Sequence, residues 1–214
     1  MLYYIILLPA WLIFHILFRI HTVGRENLDR CAAKGVILAP SHISALDPVF
    51  IVLARLWGLK MDIFAKKELF EINPVVSWVL KELGGVCVRG TKEEAAAIEN
   101  TIERCRSGRT LLIFPEGTRE REGKLLPPKS GLFVIAAQAE SDVIPMRVLY
   151  DTPDGKLKLF CRVRVVFGEP IPASDFAMEN RRDMKALRAN KQKLVENWRA
   201  LGKANAFEKA LLPE

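Results

Sequence analysis

Short apolar runs alternate with segments of helical periodicity along most of this 214-residue chain. Runs such as residues 35–39 and 111–114 are continuously apolar, which is typical of strands buried on both faces of a parallel sheet. No internal repeat is visible, and no linker rich in Pro, Gly or Ser divides the chain after its first segment. The pattern therefore predicts an α/β fold, with a single domain whose mixed, largely parallel sheet is flanked by helices.

The same pattern places the individual elements. We predict buried strands at residues 35–39, 62–65, 86–88, 111–114 and 143–150, and a half-exposed strand near a sheet edge at residues 156–165. Helices are predicted at residues 48–59, 75–83, 91–105, 131–139 and 178–201. Asp47 suits the N-cap of the first of these helices, with Pro48 at its first position. The basic face of the half-exposed strand is either solvated or in contact with anionic lipid or an acidic carrier; it comprises Lys156, Lys158, Arg162 and Arg164.

The first eighteen residues contain no Asp, Glu, Lys or Arg. As a helix they would measure about 27 Å, close to the roughly 30 Å hydrocarbon core of a bilayer. No basic region precedes them, which disfavours a signal peptide. We therefore predict a membrane anchor over residues 1–22 and one folded domain over residues 23–214. Arg19, His21 and Arg25 follow the apolar run, which favours the cytoplasmic face. Pro9 and His15 leave open whether the helix spans, lies half-immersed, or packs as a core helix.

The composition limits the classes of binding partner but does not identify one of them. The formal charge of +7 favours anionic partners, whether phosphorylated substrates, an anionic bilayer or nucleic acid. The chain has no recognisable nucleic-acid motif, and its basic residues are not interleaved with aromatic ones, so we expect no nucleic-acid binding. The four cysteines form no C-x-x-C pair, and only three histidines are present. We therefore expect buried thiols, a reducing compartment and no metal site.

The segment from Ser41 to Pro48 carries the first candidate site, at the point where a buried strand ends and a helix begins. Ligands bind beyond the carboxyl ends of strands in open α/β sheets. An imidazole can take up a proton near neutral pH, and a carboxylate on its other ring nitrogen fixes its tautomer. His42 and Asp47 can meet only if His42 lies in the loop and the chain turns back. The alternative is an ordinary N-cap beside a surface histidine.

The run Phe-Pro-Glu-Gly-Thr-Arg at residues 114–119 carries the second candidate site, directly after another buried strand. Pro and Gly end the strand and allow the backbone to approach a ligand closely. Thr118 can donate to a phosphate, and the planar fork of Arg119 suits bidentate phosphate binding. Glu116 can orient Arg119 or bind a substrate hydroxyl. The alternative is a polar turn with no function. Lys129 and Gly131, further along the chain, add a cation and a tight backbone.

Taken together, these residues resemble the glycerolipid acyltransferases whose best-known members acylate 1-acylglycerol-3-phosphate (lysophosphatidic acid). Four blocks of that family occur in order: H-x-x-x-x-D at 42–47, a glycine-to-arginine block at 85–89, F-P-E-G-T-R at 114–119 and V-I-P at 143–145. The similarity covers roughly residues 35–146. Ser41 stands where the family often has Asn, and Val88 stands where an acidic or amide residue often precedes the arginine. These departures bear on substrate preference.

The resemblance implies roles for the matching residues. His42 would be the general base that activates the acceptor hydroxyl, and Asp47 would orient it. The glycerol phosphate would be held by a set of binding residues: Lys66, Arg89, Glu116, Gly117, Thr118 and Arg119. The expected partners are a membrane, a lysophospholipid acceptor and an acyl thioester, either acyl-CoA or acyl-carrier protein, as co-substrate. Because a thioester is already activated, no metal or redox cofactor is expected.

The sequence therefore predicts acyl transfer to the sn-2 hydroxyl of lysophosphatidic acid, giving phosphatidic acid in phospholipid biosynthesis. One alternative keeps the reaction and changes the acceptor to glycerol-3-phosphate, another lysophospholipid or a lyso-aminolipid. A second alternative is a catalytically silent lipid-binding protein that retains the fold. The intact pair of His42 and Asp47 speaks against the second.

Overall fold

The structure is a computed structural model. It describes residues 2–31, 35–55, 61–66, 71, 77–78, 84–88, 91–120, 124–176 and 183–207. The helices, strands and contacts of the fold are those of these residues.

A seven-stranded sheet forms the centre of the molecule. In chain order its strands are β1 (Arg19–Val23), β2 (Val36–Pro40), β3 (Asp62–Lys66), β4 (Gly85–Val88), β5 (Leu111–Leu112), β6 (Asp142–Tyr150) and β7 (Arg162–Phe167). Their spatial order is β1-β7-β6-β2-β5-β3-β4. Neighbouring strands are parallel except for the antiparallel pair of β6 and β7. The predicted mixed, largely parallel sheet is confirmed.

Helices cover both faces of this sheet. They are α1 (Leu2–Leu17), α2 (Glu26–Arg30), α3 (Asp47–Arg55), α4 (Thr91–Arg106), α5 (Gly131–Ala139) and α6 (Met184–Ala204), with a short 3-10 turn at Ala173–Phe176. Alternate residues of β2 point to opposite sides: Leu38 packs in the cluster that includes residues of α1 and α3, and Ile37 packs in the cluster that includes residues of α4, α5 and α6. This alternation gives three layers, with the sheet in the middle.

Most predicted elements occur where the sequence placed them. The strands at 35–39, 62–65, 86–88 and 143–150 correspond to β2, β3, β4 and β6, and the helices at 91–105 and 131–139 to α4 and α5. The predicted strand at 111–114 is shorter, because the ladder of β5 ends at Leu112. The predicted helix at 75–83 lies largely outside the described residues, as do residues 56–59 and 178–182 of two other predicted helices.

The predicted half-exposed strand at 156–165 was wrong in its extent. Residues 156–161 precede the strand, with a turn at 159–160, and β7 begins only at Arg162. The predicted position near a sheet edge is confirmed, because β7 lies next to the edge strand β1, which pairs with it in parallel from Arg19 onward. Arg162 and Arg164 therefore lie in a strand with neighbours on both sides, while Lys156 and Lys158 lie in the connection before it.

The apolar N-terminal segment does form a helix, α1, which ends before β1 begins. Within the described ranges, no helix is both long and apolar enough to cross a membrane. Part of α1 packs on the domain, since Phe14 contacts Phe50 of α3 edge-on at a ring-centroid distance of 5.6 Å. Another part is exposed, including Leu12 and Ile16. Residues 19–22, predicted as part of the anchor, pair with β7 inside the sheet.

Gly35 precedes β2 and lies against α4 so closely that a Cβ atom there would be 1.9 Å from the carbonyl oxygen of Cys105. Because the obstacle is helix backbone, Gly35→Ala is expected to lower the free energy of unfolding by about 2–3 kcal/mol. Gly131→Ala is the matched control, since a Cβ there would meet nothing within 4 Å. Denaturant unfolding measures both. Equal stability of the Gly35→Ala variant and the wild type would contradict the close approach.

Candidate active site

The candidate histidine lies in the loop that joins β2 to α3. The backbone N–H of Ser41 still donates to the Met146 carbonyl at 3.3 Å, so the chain leaves the sheet at this residue. Residues 41–46 then turn back before α3 begins at Asp47. His42 is thus in the loop rather than in the helix, which is the arrangement that the spacing of five residues required.

His42 and Asp47 contact each other through one ring nitrogen. The distance from His42 Nδ1 to Asp47 Oδ2 is 2.9 Å. Because a carboxylate only accepts, Nδ1 carries the hydrogen, which leaves Nε2 of a neutral imidazole as the atom that can take up a proton. The His42 side chain is 15% exposed, whereas that of Asp47 is fully buried. The imidazole is therefore accessible and its orienting carboxylate is not.

The Asp47 carboxylate accepts further hydrogen bonds that hold it in place. Its Oδ2 atom accepts the backbone N–H groups of Ile43 and Ser44, each at 2.8 Å. Its Oδ1 atom accepts the hydroxyl of Tyr150, which lies at the end of β6. Burial and the neighbouring Asp47 charge raise the pKa of Tyr150 well above its ordinary value, so the phenol remains a donor. These donors satisfy a carboxylate that would be costly to bury alone.

The loop after β5 joins the histidine loop directly. Glu116 Oε2 accepts the backbone N–H of His42 at 3.3 Å, and the carbonyl of His42 accepts the N–H of Glu120 at 2.8 Å. The rings of Phe114 and His42 lie against each other with centroids 4.0 Å apart. The two sequence motifs, more than seventy residues apart, therefore form one site.

Two buried ionisable side chains, Glu116 and Arg147, lie under this site. Burial raises the pKa of Glu116 to about 8, although the His42 N–H and the Arg147 charge oppose the rise. Burial lowers the pKa of Arg147 to about 10, against the attraction of Glu116 and Asp47. Arg147 Nη1 donates to the Trp198 carbonyl at 3.2 Å. Among the described residues, Glu116 Oε1 and Arg147 Nε and Nη2 have no hydrogen-bond partner.

The structure describes the other predicted site residues only in part. Gly117 has a φ of +70°, and a Cβ atom there would lie 2.6 Å from Nζ of Lys129, so glycine lets this cation lie over the turn. Thr118 and Arg119 follow and are exposed. Arg89 and the side chain of Lys66 lie outside what the structure describes, although Lys66 is the last residue of β3.

Sequence reasoning missed two residues of the site. Tyr150 was counted only as the last residue of a predicted strand, and Arg147 only as part of that strand's interior. Tyr150 could have been found from its position at the carboxyl end of a predicted strand, because that edge of the sheet carries His42. For Arg147 the available signal was a charged residue within an apolar run, a position at which a long cationic side chain needs buried partners.

A buried carboxylate that orients an imidazole is the arrangement in which a histidine can serve an enzyme as a general base. The acyltransferase family model matches residues 19–149. This match covers more than half of the chain, and the protein belongs to the acyltransferase family.

Individual relatives agree with this assignment. A 1-acyl-sn-glycerol-3-phosphate acyltransferase of Borreliella burgdorferi is 34% identical over 136 residues, which are 63% of this chain and 52% of the relative. A chloroplastic enzyme of the same description from Brassica napus is 29% identical over 158 residues, 71% of this chain and 44% of the relative. The chain thus spans about half the length of the curated relatives that it matches.

A solved structure supports the fold. The crystal structure of the 1-acyl-sn-glycerophosphate acyltransferase PlsC from Thermotoga maritima superposes with a TM-score of 0.60 and 25% sequence identity. The alignment covers 88% of this chain and 74% of the other. The sheet flanked by helices is therefore shared with that protein.

Removal of the Tyr150 hydroxyl tests whether its hydrogen bond holds Asp47 in place. We expect Tyr150→Phe to lower turnover in an acyl-transfer assay about tenfold with little change in KM, because Asp47 would hold the imidazole less firmly. Tyr4→Phe, a substitution of the same kind in α1, is the control. Turnover at the wild-type level in the Tyr150→Phe variant would show that this bond does not position His42.

The raised pKa of Glu116 predicts a pH dependence of stability. The unfolded glutamate releases its proton near 4.5, whereas the folded one retains it up to about 8. Between these values the folded state holds one more proton, so its stability falls as pH rises, by at most about 1.4 kcal/mol per pH unit.

This dependence is measured by denaturant unfolding from pH 5 to pH 8.5, comparing wild type with Glu116→Gln. The free energy of unfolding of wild type minus that of the variant is expected to decrease with pH. Glu103→Gln, at an exposed position, is the control and is expected to leave the pH dependence unchanged. If the free energy of unfolding of wild type minus that of Glu116→Gln stayed constant with pH, the raised pKa of Glu116 would be contradicted.

Proposed function

We propose that this protein transfers a fatty acyl chain from an acyl thioester to the sn-2 hydroxyl of 1-acylglycerol-3-phosphate, giving phosphatidic acid. The observation that carries the proposal is the bond between His42 Nδ1 and buried Asp47, in a loop tied to the Phe-Pro-Glu-Gly-Thr-Arg turn. Membership of the acyltransferase family and relatives described as 1-acyl-sn-glycerol-3-phosphate acyltransferases support the choice of reaction.

In the proposed reaction, Nε2 of His42 accepts the proton of the acceptor hydroxyl as its oxygen attacks the thioester carbonyl. The carbonyl oxygen becomes negatively charged in a tetrahedral intermediate. When the intermediate collapses, the carbon–sulfur bond breaks, the ester remains on the acceptor, and the imidazolium returns its proton to the leaving thiolate. Asp47 stabilises the imidazolium throughout, and its buried hydrogen bonds keep the ring in one orientation.

The acceptor phosphate would bind at the cationic turn after β5, which is residues 116–119 with Lys129 beside them. Arg119 and Thr118 are exposed there, and the Lys129 ammonium lies over Gly117. A guanidinium and an ammonium next to a backbone turn suit a phosphate monoester with two negative charges. We include Arg89 and Lys66 in the proposed binding set because both belong to segments that resemble segments of the family. Their side chains lie outside the described structure.

Glu116 was predicted to bind substrate, and that role remains a prediction. Its burial and its bond to the His42 N–H support a further role, which is to hold the histidine loop against the turn that carries Arg119. In this role Glu116 couples the two halves of the site, so that the base and the phosphate-binding residues keep a constant separation.

The proposed acceptor is a lipid, so the enzyme must work at a membrane surface. We propose that α1 lies in the membrane interface on the cytoplasmic side. Four large apolar side chains along this helix are exposed: Leu8, Leu12, Ile13 and Ile16. A helix that presents such a face while also packing on its own domain suits partial immersion better than spanning. Acyl-CoA or acyl-carrier protein would arrive from the same side.

The decisive measurement is acyl transfer from a labelled acyl thioester in detergent micelles. Wild type is expected to convert lysophosphatidic acid to phosphatidic acid, and His42→Ala is expected to be slower by about a thousandfold, because the base is removed. His21→Ala, which removes an exposed histidine of β1, is the matched control and is expected to retain wild-type turnover.

Parallel assays with glycerol-3-phosphate and with an uncharged monoacylglycerol define the acceptor. Lysophosphatidic acid should be preferred to both. A preference for glycerol-3-phosphate would keep the mechanism and change the acceptor. Equal rates for wild type and His42→Ala would refute the proposed mechanism, and no transfer to any acceptor from either donor would favour a silent lipid-binding protein.

A further inference from the structure

The turn between β6 and β7 exposes two large apolar side chains side by side. Leu159 is 62% exposed and Phe160 is 66% exposed. Exposed single apolar residues are common on protein surfaces, but an adjacent leucine and phenylalanine at the tip of a turn are not explained by packing within the domain. This pair, residues 159–160, is called the apolar tip below.

The apolar tip is held outward by an ordered turn. Phe160 has a φ of +64°, a left-handed conformation that an aromatic residue adopts rarely. The turn is closed by a hydrogen bond from the N–H of Cys161 to the carbonyl of Lys158 at 3.2 Å. Just before it, Leu157 packs against the core. The backbone is therefore fixed from the inside, and the two apolar side chains point away from the domain.

The sheet topology places this tip at the edge that carries the active site. Since β6 is parallel to β2, the end of β6 at Tyr150 lies at the edge where the loop of His42 begins. Since β7 is antiparallel to β6, it starts at that same edge, with Arg162. Since β1 pairs in parallel with β7, it also starts there, at Arg19, directly after the end of α1. The apolar tip, the end of α1 and His42 thus share one edge.

The charges around the tip suit an anionic surface. Four basic residues lie in the turn or at the adjoining starts of the two strands: Arg19, Lys156, Lys158 and Arg162. Two acidic residues of the turn partly neutralise them, as Asp154 pairs with Lys158 at 3.2 Å and Asp151 pairs with Arg162. A cationic excess around an apolar tip matches a lipid surface, in which acyl chains lie beneath phosphate groups.

We propose that the apolar tip inserts into the membrane as a second contact beside α1, with the surrounding cations on anionic headgroups. Two contacts at the site edge would hold that edge against the bilayer, so that a lipid acceptor can reach His42 without leaving the membrane entirely. The inference rests on the proposed function, because only a lipid substrate requires this edge to meet a bilayer.

The test is cosedimentation of the full chain with vesicles of phosphatidylcholine and phosphatidylglycerol. The variant combines Leu159→Ser with Phe160→Gly; glycine adopts a positive φ without strain, so the thermal midpoint should not fall. We expect vesicle partitioning to weaken about tenfold or more through loss of two buried apolar groups. Transfer on vesicles should fall with it, while transfer in detergent micelles stays at the wild-type level. Met184→Ser, at a comparably exposed apolar position at the start of α6, should change nothing.

The outcomes separate this inference from the proposed function. Weaker vesicle partitioning with an unchanged thermal midpoint supports the inserted tip, even if wild type itself transfers no acyl chain in detergent, a result that would defeat the proposed function alone. Wild-type partitioning by the double variant overturns the inserted tip, as does an equal loss in the Met184→Ser control. Unchanged partitioning combined with a loss of transfer only from acyl-carrier protein would instead assign the tip to a protein partner.

Discussion

The buried carboxylate of Asp47 is the interaction on which the rest of the site depends. It accepts hydrogen bonds from the His42 ring, from the N–H groups of Ile43 and Ser44, and from the Tyr150 hydroxyl. An isolated carboxylate would be expensive to bury, so the loop must close around it to provide those donors. The same closure brings the imidazole into position, and the bonds that stabilise the loop therefore also orient the His42 ring.

The burial of ionisable groups continues beneath the loop. Glu116 and Arg147 are both buried, and each has polar atoms without a hydrogen-bond partner among the described residues. Such groups weaken a fold, and proteins retain them mainly at functional sites. Here Glu116 holds the His42 N–H, and Arg147 places positive charge near both Glu116 and Asp47. Strand β6 supplies a rigid position for Arg147, and the turn after β5 supplies the position of Glu116.

Strand direction brings the proposed catalytic residues and the proposed membrane contacts to one edge of the sheet. A sheet in which two strands run against the other five gathers different kinds of chain end at one edge. The loops after the carboxyl ends of β2 and β5 hold His42, Asp47 and the turn that carries Arg119. Strand β6 ends beside them at Tyr150. The starts of β1 and β7 bring the end of α1 and the apolar tip to the same edge. The exposed apolar residues and the His42 loop therefore share one edge through topology, although they are distant in sequence.

Local sequence determined the buried strands, the helix over residues 131–139, and both motifs of the site, because periodicity and turn chemistry act over a few residues. It could not determine that Tyr150 donates to Asp47, a contact across 103 residues, or that Arg147 lies near Glu116. The pairing of β1 with β7, which puts a neighbouring strand on each side of Arg162 and Arg164, is equally non-local. Only tertiary structure decides which strand ends meet, since that follows from the order and direction of all strands together.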